Sequence, residues 1–293
     1  MDNLRIKIGA YFIGDNEPVY LIAEIGINHN GDLQIAKKLI DATWVIGWNC
    51  AKFQKRSPDI AVPDAQKNVL RQTPWGEMTY LKYKEKIEFQ KKEYDYINKY
   101  CKEKPLDWTA SVWDLPSLEF LMQYDIPFIK IPSAKITDKT LVEQSAKMGK
   151  PLFVSTGMSS IQEIDDAVNI VEKHLSKNYV LFHCNSSYPA KMDELNLNMI
   201  KTLKERYNCL VGYSGHEEEI MPSTIAPIYG ACVIERHITL DRNMWGTDQK
   251  SSVEVRGMDY LIRRVRAVKQ FSGDGVKRIT DEELKIRKKL SGI

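Results

Sequence analysis

The sequence predicts an α/β protein, a (β/α)8 barrel of the TIM type that follows a short N-terminal β-hairpin. Short apolar runs typical of strands recur along the chain, and stretches with helical periodicity separate them. The 293 residues, of which 43% are hydrophobic, can bury a large core, and α/β barrels commonly use about 250 residues for one domain. We therefore expect one barrel rather than two small domains.

The strand-like runs number eight. They are VYLIAEIG (19–26), CAKFQ (50–54), DWTASVW (107–113), FIKIP (128–132), PLFVSTG (151–157), YVLFHCN (179–185), CLVGYSG (209–215) and CVIERHIT (232–239). Intervening stretches such as IQEIDDAVNIVEKHL place an apolar residue at every third or fourth position, as on one face of a helix. This alternation implies parallel strands joined by crossover helices, and eight units favour a closed barrel over an open sheet.

The longest gap between predicted strands, residues 55–81, contains several residues that interrupt helices and strands. They are Pro58, Pro63, Pro74 and Gly76. We therefore expect a long βα loop with little regular structure. In a barrel such loops lie over the C-terminal face, where active sites are built.

The segment at residues 4–14 (LRIKIGAYFIG) reads as a small hairpin that would cover the N-terminal end of the barrel. The expected organisation is a single catalytic domain with three parts. These are the hairpin in 1–18, the barrel in 19–275 and a C-terminal tail in 276–293.

Composition excludes several classes of function. The balance of 42 Lys+Arg against 39 Asp+Glu gives a net charge of +3, without long blocks of one sign, so we expect no nucleic-acid partner. We find no apolar run of membrane-spanning length and no signal-peptide pattern, and we therefore expect a cytoplasmic protein with no membrane partner. The five cysteines form no CxxC pair, which favours reduced, buried thiols.

Polar side chains lie at or near the ends of the predicted strands. They are Glu24, Lys52, Gln54, Ser111, Lys130, Ser133, Ser155, Thr156, His183, Ser186, His216, Glu235 and His237. Because the C-terminal ends of parallel strands point into the barrel mouth, these side chains should converge there. Two lysines among several hydroxyls favour an anion site, since a phosphate needs point charges together with short donors. For one such lysine alone, an internal salt bridge is an equal alternative.

A pair of histidines follows two strands that a closed barrel makes neighbours. His216 comes directly after the seventh predicted strand and His237 lies near the end of the eighth, so their imidazoles can meet on one metal ion. A hydrogen-bonded histidine without a metal is the commoner case, and the residues alone leave both open. Asp248, after the turn WGTD, is a candidate further ligand or a carboxylate that orients one.

Seven strings occur in an order that resembles the sialic acid synthase family. They are AEIGINHNGD, KFQ, KIPSAK, STGMSS, FHCNSSYPA, GYSGHE and ERHITLDRNMWGTD. The resemblance runs from about residue 19 to 275. It implies the same barrel fold and a condensation of phosphoenolpyruvate with an N-acylated amino-hexose, which gives a nine-carbon 2-keto acid and phosphate with the help of a divalent metal.

The resemblance also implies roles for individual residues. His216 and His237 match the two metal-binding histidines, and the implied ion is Mn²⁺, with Mg²⁺ or Co²⁺ as alternatives. The positions that match or nearly match the phosphoenolpyruvate site are Lys52, Ser111, Lys130, Ser133, Ser155 and Ser186. The positions around the acceptor sugar and the metal are Glu24, Gln54, Tyr188 and Asp248.

Three positions depart from the family pattern. The usual acidic residue of the KI-x-S-x-E string is Lys135, the usual histidine after GPD is Gln249, and the usual aspartate of YSDH is Gly215. We expect the chemistry to be retained despite these changes. The identity of the acceptor sugar is left open by a larger departure, the expected lack of a C-terminal domain that normally checks it.

Typical members continue into a C-terminal antifreeze-like domain that covers a dimer partner's active site, and we expect this chain to lack it. The loops at 55–81 and 241–256, each with a tryptophan beside a glycine, are candidates to cover the acceptor instead. The tryptophans, Trp75 and Trp245, serve equally well as anchors for their loops. We also expect a homo-oligomer, and a separate capping subunit is an alternative.

The expected mechanism is a metal-assisted, aldol-type condensation in which the ion acts as a Lewis acid on the acceptor aldehyde. Lys52 and Lys130 would hold phosphoenolpyruvate, and Glu24, or Asp248 as second choice, would activate water. Two alternatives remain. One is a Schiff-base aldolase that uses Lys130 or Lys52 as nucleophile, and the other is a non-catalytic barrel that serves as an assembly partner.

Overall fold

The computed structural model describes residues 4–291. Its strands are β1 (Arg5–Ile8), β2 (Tyr11–Gly14), β3 (Tyr20–Gly26), β4 (Cys50–Lys55), β5 (Leu70–Thr73), β6 (Gly76–Thr79), β7 (Asp107–Val112), β8 (Ile129–Ile131), β9 (Leu152–Ser155), β10 (Tyr179–His183), β11 (Leu210–Gly215), β12 (Ala231–Thr239) and β13 (Val253–Glu254). The outermost residues of the expected hairpin and tail segments, 1–3 and 292–293, lie outside the described range.

The helices alternate with the larger strands. They are α1 (Leu33–Val45), α2 (Pro58–Ala61), α3 (Asp64–Lys67), α4 (Tyr80–Ile87), α5 (Lys91–Glu103), α6 (Leu115–Leu121), α7 (Lys139–Lys147), α8 (Ile161–Leu175), α9 (Met199–Tyr207), α10 (Met221–Ile225), α11 (Val255–Ser272) and α12 (Asp281–Ser291). Local sequence fixes many of their starts. Ser160 and Glu163, for example, form a capping box at the start of α8.

Eight parallel strands close into a barrel, as the sequence predicts. Each pairs with the next in the order β3, β4, β7, β8, β9, β10, β11 and β12, and β12 pairs back onto β3. The helix-facing side chains of these strands and the inner faces of the helices form one large apolar cluster, and nearly all barrel-strand residues are buried. The closed ring therefore brings all eight C-terminal strand ends to one mouth.

The predicted hairpin is present and covers the opposite end of the barrel. Strands β1 and β2 are antiparallel, and Ile6, Ile8 and Ile13 are buried in an apolar cluster with Phe128 and Phe153. The hairpin therefore closes the N-terminal end of the barrel, and the C-terminal end stays accessible to ligands.

The segment 55–81 differs from the prediction because it contains regular structure. It forms the short helices α2 and α3 and an antiparallel pair, β5 with β6. Pro58 is the first residue of α2, where a proline lacks no required hydrogen bond. Gly76 adopts a φ of +98° at the turn between the two strands, and Thr73 Oγ1 donates to its carbonyl at 2.6 Å. Proline therefore starts a helix here and glycine forms a turn between two strands. Neither residue prevents regular structure.

The C-terminal part contains α11, which packs against the barrel, and α12, whose residues are all exposed. Within residues 4–291, every helix is too short or too polar to cross a membrane.

Candidate active site

The barrel mouth contains a cavity, here called the inner cavity, in which most predicted site residues meet. Eleven of the twelve line it: Glu24, Lys52, Gln54, Ser111, Lys130, Ser133, Ser155, Ser186, Tyr188, His216 and His237. The register of the barrel explains this meeting. Glu24 is level with Lys52 on one neighbouring strand and with His237 on the other, so residues far apart in sequence reach the same depth.

Two lysines and two carboxylates form a buried network on the floor of the inner cavity. Lys52 Nζ lies 2.6 Å from Glu24 Oε2 and 3.6 Å from Glu235 Oε1. Lys130 Nζ lies 3.3 Å from Glu235 Oε2. Each lysine also donates to a serine hydroxyl, Lys52 to Ser111 at 2.9 Å and Lys130 to Ser155 at 2.7 Å. The internal salt bridges that the sequence leaves open as an alternative therefore exist, and they share the cavity with the serines.

The network shifts the pKa values of its members in different directions. Burial raises the pKa of Glu24 despite the nearby Lys52, and burial lowers the pKa of Lys130 despite Glu235. Burial also opposes ionisation of Glu235, but Lys130 and Lys52 outweigh it and lower its pKa to about 2. Glu235 is thus the fixed anion of the network, and Glu24 is the carboxylate that most readily takes up a proton.

Small polar side chains surround a glycine beside this network. A Cβ placed on Gly157 would lie 2.3 Å from Ser186 Oγ, 2.8 Å from Ser133 Oγ and 3.0 Å from Cys184 Sγ. Only glycine fits where these three side chains approach the backbone so closely. The result is a wall of short hydrogen-bonding groups in the same cavity as the lysines, which suits an anion.

The two histidines lie side by side with one imidazole clearly oriented. Their ring centroids are 5.5 Å apart. His216 Nδ1 lies 2.6 Å from the Asn185 carbonyl, so this nitrogen is the donor, and Nε2 lies 3.0 Å from the Tyr188 hydroxyl. Burial lowers the pKa of His216 to about 3, which keeps the ring neutral. The Nε2 lone pair therefore accepts from the Tyr188 hydroxyl, and both side chains line the inner cavity.

His237 completes a pair of imidazoles that fits a metal ion. Its Nδ1 atom is buried without a hydrogen-bond partner in the described chain and lies 3.8 Å from Asp248 Oδ2. In residues 4–291 we find no group of three or more His, Cys, Asp or Glu side chains arranged to hold a metal. The donor set therefore fits an ion held by two imidazoles whose other positions are left to water or substrate.

A second cavity, here called the outer cavity, adjoins the inner one and contains Asp248. Gln54, Trp113, Ala134 and Tyr188 line both. Residues from the 55–81 segment and from α4 form the far wall of the outer cavity: Arg56, Ala61, Val62, Pro63, Tyr80 and Lys84. Asp248 thus lines the outer cavity and not the inner one, although its carboxylate lies 3.8 Å from His237.

Trp75 and Trp245 pack against each other, with ring centroids 5.8 Å apart and an interplanar angle of 74°. Trp245 also contacts Tyr83 at 5.1 Å, and neither tryptophan lines the inner or outer cavity. Their contacts tie the 55–81 segment to the 241–256 loop. The tryptophan that does line both cavities is Trp113.

The three departures from the family pattern have separate structural settings. Lys135 lines the outer cavity. Gln249 is fully buried and donates to backbone carbonyls at 3.3 and 3.4 Å. A Cβ on Gly215 would lie 2.7 Å from the carboxylate of Glu217, which pairs with buried Arg236 at 2.5 Å. Glu217 thus fills the space beside residue 215.

Four charged side chains of these cavities are absent from the predicted site: Glu235, Arg56, Lys84 and Lys135. Lys135 enters the sequence analysis only as a departure from the family pattern. Glu235 enters it only as a strand-end residue, because its link between both lysines depends on the barrel register. Arg56 directly follows the strand-end string CAKFQK, a signal that was available. Lys84 gave no signal, because a lysine on a short helix is normally exposed.

Known proteins resemble the chain over most of its length. The model of the NeuB family matches residues 39–277. The chain belongs to the NeuB family. It is 38% identical to N-acetylneuraminate-9-phosphate synthase of Drosophila melanogaster, over 87% of this chain and 69% of that protein. It is 35% identical to N,N'-diacetyllegionaminic acid synthase of Campylobacter jejuni, over 92% and 83%.

A solved structure of a NeuB relative shares the whole fold. The N-acetylneuraminic acid synthetase of Leptospira borgpetersenii, determined in complex with citrate, superposes with a TM-score of 0.86 and 31% identity. The match covers 99% of this chain and 98% of that chain. The resemblance inferred from the seven strings is therefore confirmed at the level of the family and the fold.

Proposed function

We propose that this protein condenses phosphoenolpyruvate with an N-acylhexosamine-type aldose to give a nonulosonic 2-keto acid and phosphate. The observation that carries the proposal is the convergence, in one buried cavity, of two lysines, a serine wall and two imidazoles. Membership of the NeuB family supports it, since relatives are named N-acetylneuraminate-9-phosphate synthase and N,N'-diacetyllegionaminic acid synthase.

Phosphoenolpyruvate would bind in the inner cavity. Lys130 and Lys52 would face its phosphate and carboxylate, and Ser133 and Ser186, which line the same cavity, would donate to its oxygens. Carbon–carbon bond formation joins the enol carbon to the acceptor aldehyde carbon. Water then adds at C2 of the former phosphoenolpyruvate, and phosphate leaves with cleavage of the C–O bond.

The charge of the cavity supports a divalent metal, with Mn²⁺ proposed and Mg²⁺ or Co²⁺ as alternatives. Glu24 and Glu235 already match the two lysines, and His216 is neutral. A multiply charged anion in this buried cluster therefore lacks compensation from the protein alone. An ion held by His216 and His237 would supply positive charge and act as a Lewis acid toward the acceptor carbonyl.

Glu24 is the proposed group that orients and deprotonates the attacking water. Its raised pKa places it closer to the working range of a general base than a solvent-exposed carboxylate. Gln54 Nε2 lies 3.2 Å from its Oε1 and Lys52 lies on the other oxygen, so both neighbours hold the carboxylate in place. Asp248, in the outer cavity, is the second candidate.

The experiment that tests the function measures phosphate release from phosphoenolpyruvate with N-acetylhexosamines, hexoses and their 6-phosphates, with added Mn²⁺. Acceptor-dependent phosphate release and a 2-keto acid product are expected. Covalent trapping with borohydride and pyruvate would instead establish a Schiff-base aldolase, for which the lowered pKa of buried Lys130 is the favourable observation. Absence of turnover in both assays would favour the non-catalytic alternative.

A further inference from the structure

The outer cavity carries a surplus of positive charge. The cationic side chains that line it are Arg56, Lys84 and Lys135, and the one carboxylate among its described lining residues is Asp248. The inner cavity, in contrast, matches two lysines with two carboxylates. A surplus of this kind in a concave site attracts an anion.

Lys84 is the side chain whose burial most needs an explanation. It is 5% exposed, and its ammonium lies 5.1 and 5.0 Å from the ring centroids of Tyr80 and Tyr83. The salt bridges of the described chain include none to Lys84. Burial, and secondly Arg56, lower its pKa to about 7. An anion placed beside this amine would restore its charge and offset the cost of burial.

Arg56 is held rigidly beside the same cavity. Its guanidinium lies 4.7 Å from the Trp113 ring centroid and donates to Gln54. Its Nε atom is 3.5 Å from Glu88, but that carboxylate lies closer to Lys55, at 2.9 Å. Glu88 is thus the shared partner of Lys55 and Arg56. The positive charge of Arg56 is therefore only partly compensated, and the remainder can attract an anionic ligand.

The two cavities are arranged for one extended molecule. They share Gln54, Trp113 and Tyr188, and the Tyr188 hydroxyl lies 3.0 Å from His216 Nε2. A sugar chain whose carbonyl lies near the histidines would pass these shared residues and place its other end in the outer cavity.

Resting on the proposed function, we propose that the acceptor aldose carries a phosphate at the end remote from its carbonyl, and that Arg56 and Lys84 bind this phosphate. Arginine and lysine together provide the fork and the point charge that suit a phosphate dianion. When a three-carbon unit joins C1 of a hexose, C6 of the hexose becomes C9 of the product, so the product would be a 9-phosphate.

Sequence identity to the relatives does not decide whether the acceptor is phosphorylated. Of the two relatives compared above, at 38% and 35% identity, one is named for a 9-phosphate product and the other for a product without phosphate in its name. The unmatched charge of Arg56 and Lys84 is what favours the phosphorylated acceptor here.

The test compares kcat/KM for N-acetylhexosamines of the gluco, manno and galacto series, for their 6-phosphates, and for the corresponding uronic acids. The wild type is expected to prefer one 6-phosphate to its free sugar at least about tenfold. In Lys84→Gln this preference should fall about tenfold, and Lys84→Arg should retain most of it. Lys82→Gln is the matched control, because Lys82 is an exposed lysine on the same helix.

The outcomes separate the two proposals. Turnover of a free sugar with equal or higher kcat/KM than its 6-phosphate would overturn the phosphorylated acceptor and leave the proposed function standing. Preference for a uronic acid would show an anion site for a carboxylate and would overturn the phosphate. An unchanged preference in Lys84→Gln would remove Lys84 from the site, and absence of phosphate release with every acceptor would overturn both proposals.

Discussion

In the inner cavity each lysine has a carboxylate partner, whereas in the outer cavity the described chain offers Lys84 no ion pair. Lys52 and Lys130 contact Glu24 or Glu235 at 2.6 and 3.3 Å. Lys84 is equally buried, yet its neighbours are two tyrosine rings and Arg56. Lysines with similar burial are therefore paired with carboxylates in the inner cavity and left without an ion pair in the outer cavity.

The difference shows how the two cavities would respond to ligands. A compensated network keeps its side chains charged and positioned before any ligand arrives, so it can orient reacting groups without rearrangement. An uncompensated amine is destabilising in the empty protein and is stabilised when an anion binds. Under the proposed function, the inner cavity would carry out the chemistry and the outer cavity would select the acceptor.

The largest effect is expected at the histidine pair, because the proposed ion that it would hold would add the positive charge that the compensated inner network lacks. His216→Ala and His237→Ala should each reduce kcat at least about a thousandfold and lower the content of bound Mn²⁺, because either change removes one of two imidazole ligands. Metal analysis after equilibration with Mn²⁺ and gel filtration provides a readout that is independent of turnover.

His174→Ala is the control for this experiment, because His174 is an exposed histidine on α8 that lines neither cavity. It should retain both metal and activity. Wild-type metal content and near-normal kcat in both active-site variants would contradict the proposed role of the pair and leave only the lysine network as the reactive part of the inner cavity.

A smaller effect is expected when Lys130 is replaced and its salt bridge to Glu235 in the inner cavity is lost. Lys130→Ala should raise the KM for phosphoenolpyruvate by about 10- to 100-fold, because a charge-assisted hydrogen bond contributes about 1.5–3 kcal/mol. The KM for the acceptor should change much less. Steady-state kinetics with each substrate varied in turn gives both constants.

Lys139→Ala is the matched control, because Lys139 is exposed and pairs with Asp166 at 2.8 Å on the outside of the barrel. It should leave both constants unchanged. A selective rise in the acceptor KM of Lys130→Ala would mean that the two substrates occupy the cavities in the opposite order to the one proposed.

The sequence predicted the barrel and the inner cavity well for a physical reason. Apolar periodicity defines strands and helices locally, and closure of a parallel barrel then forces every C-terminal strand end to one mouth. Lys52, Lys130 and His237 could therefore be placed together before their distances were known. The regular structure of 55–81 was missed because proline and glycine mark the starts and turns of short elements as well as loops.

The outer cavity was harder to predict, because it depends on how segments pack rather than on where strands end. Lys84 is buried only because α4 lies beneath the 241–256 loop, with Tyr83 against Trp245. Arg56 points into the same space because Trp113 and Gln54 hold it. Periodicity and spacing contain no information on such contacts between distant loops.

The smallest effect is expected on the free energy of unfolding, and it tests the charge of Lys84 in the outer cavity in the absence of a ligand. Because the pKa of Lys84 is about 7 in the folded protein and ordinarily 10.5, the unfolded chain binds more protons between these values, and the free energy of unfolding of the wild type should rise with pH there. Arg56 and Arg71 disfavour the charged amine, while Asp248 and Glu88 favour it.

Lys84→Met lacks the titrating amine, so it should be more stable than the wild type below pH 7, and its advantage should shrink by about 2–3 kcal/mol between pH 7 and pH 9. Urea unfolding of both proteins across this range measures the difference, in which the other titrations cancel. Lys82→Met, on the exposed face of α4, should show a difference that does not change with pH. If the advantage of Lys84→Met were the same at pH 7 and pH 9, Lys84 would keep its charge in the folded protein, and the contrast between a matched inner and an unmatched outer cavity would no longer hold.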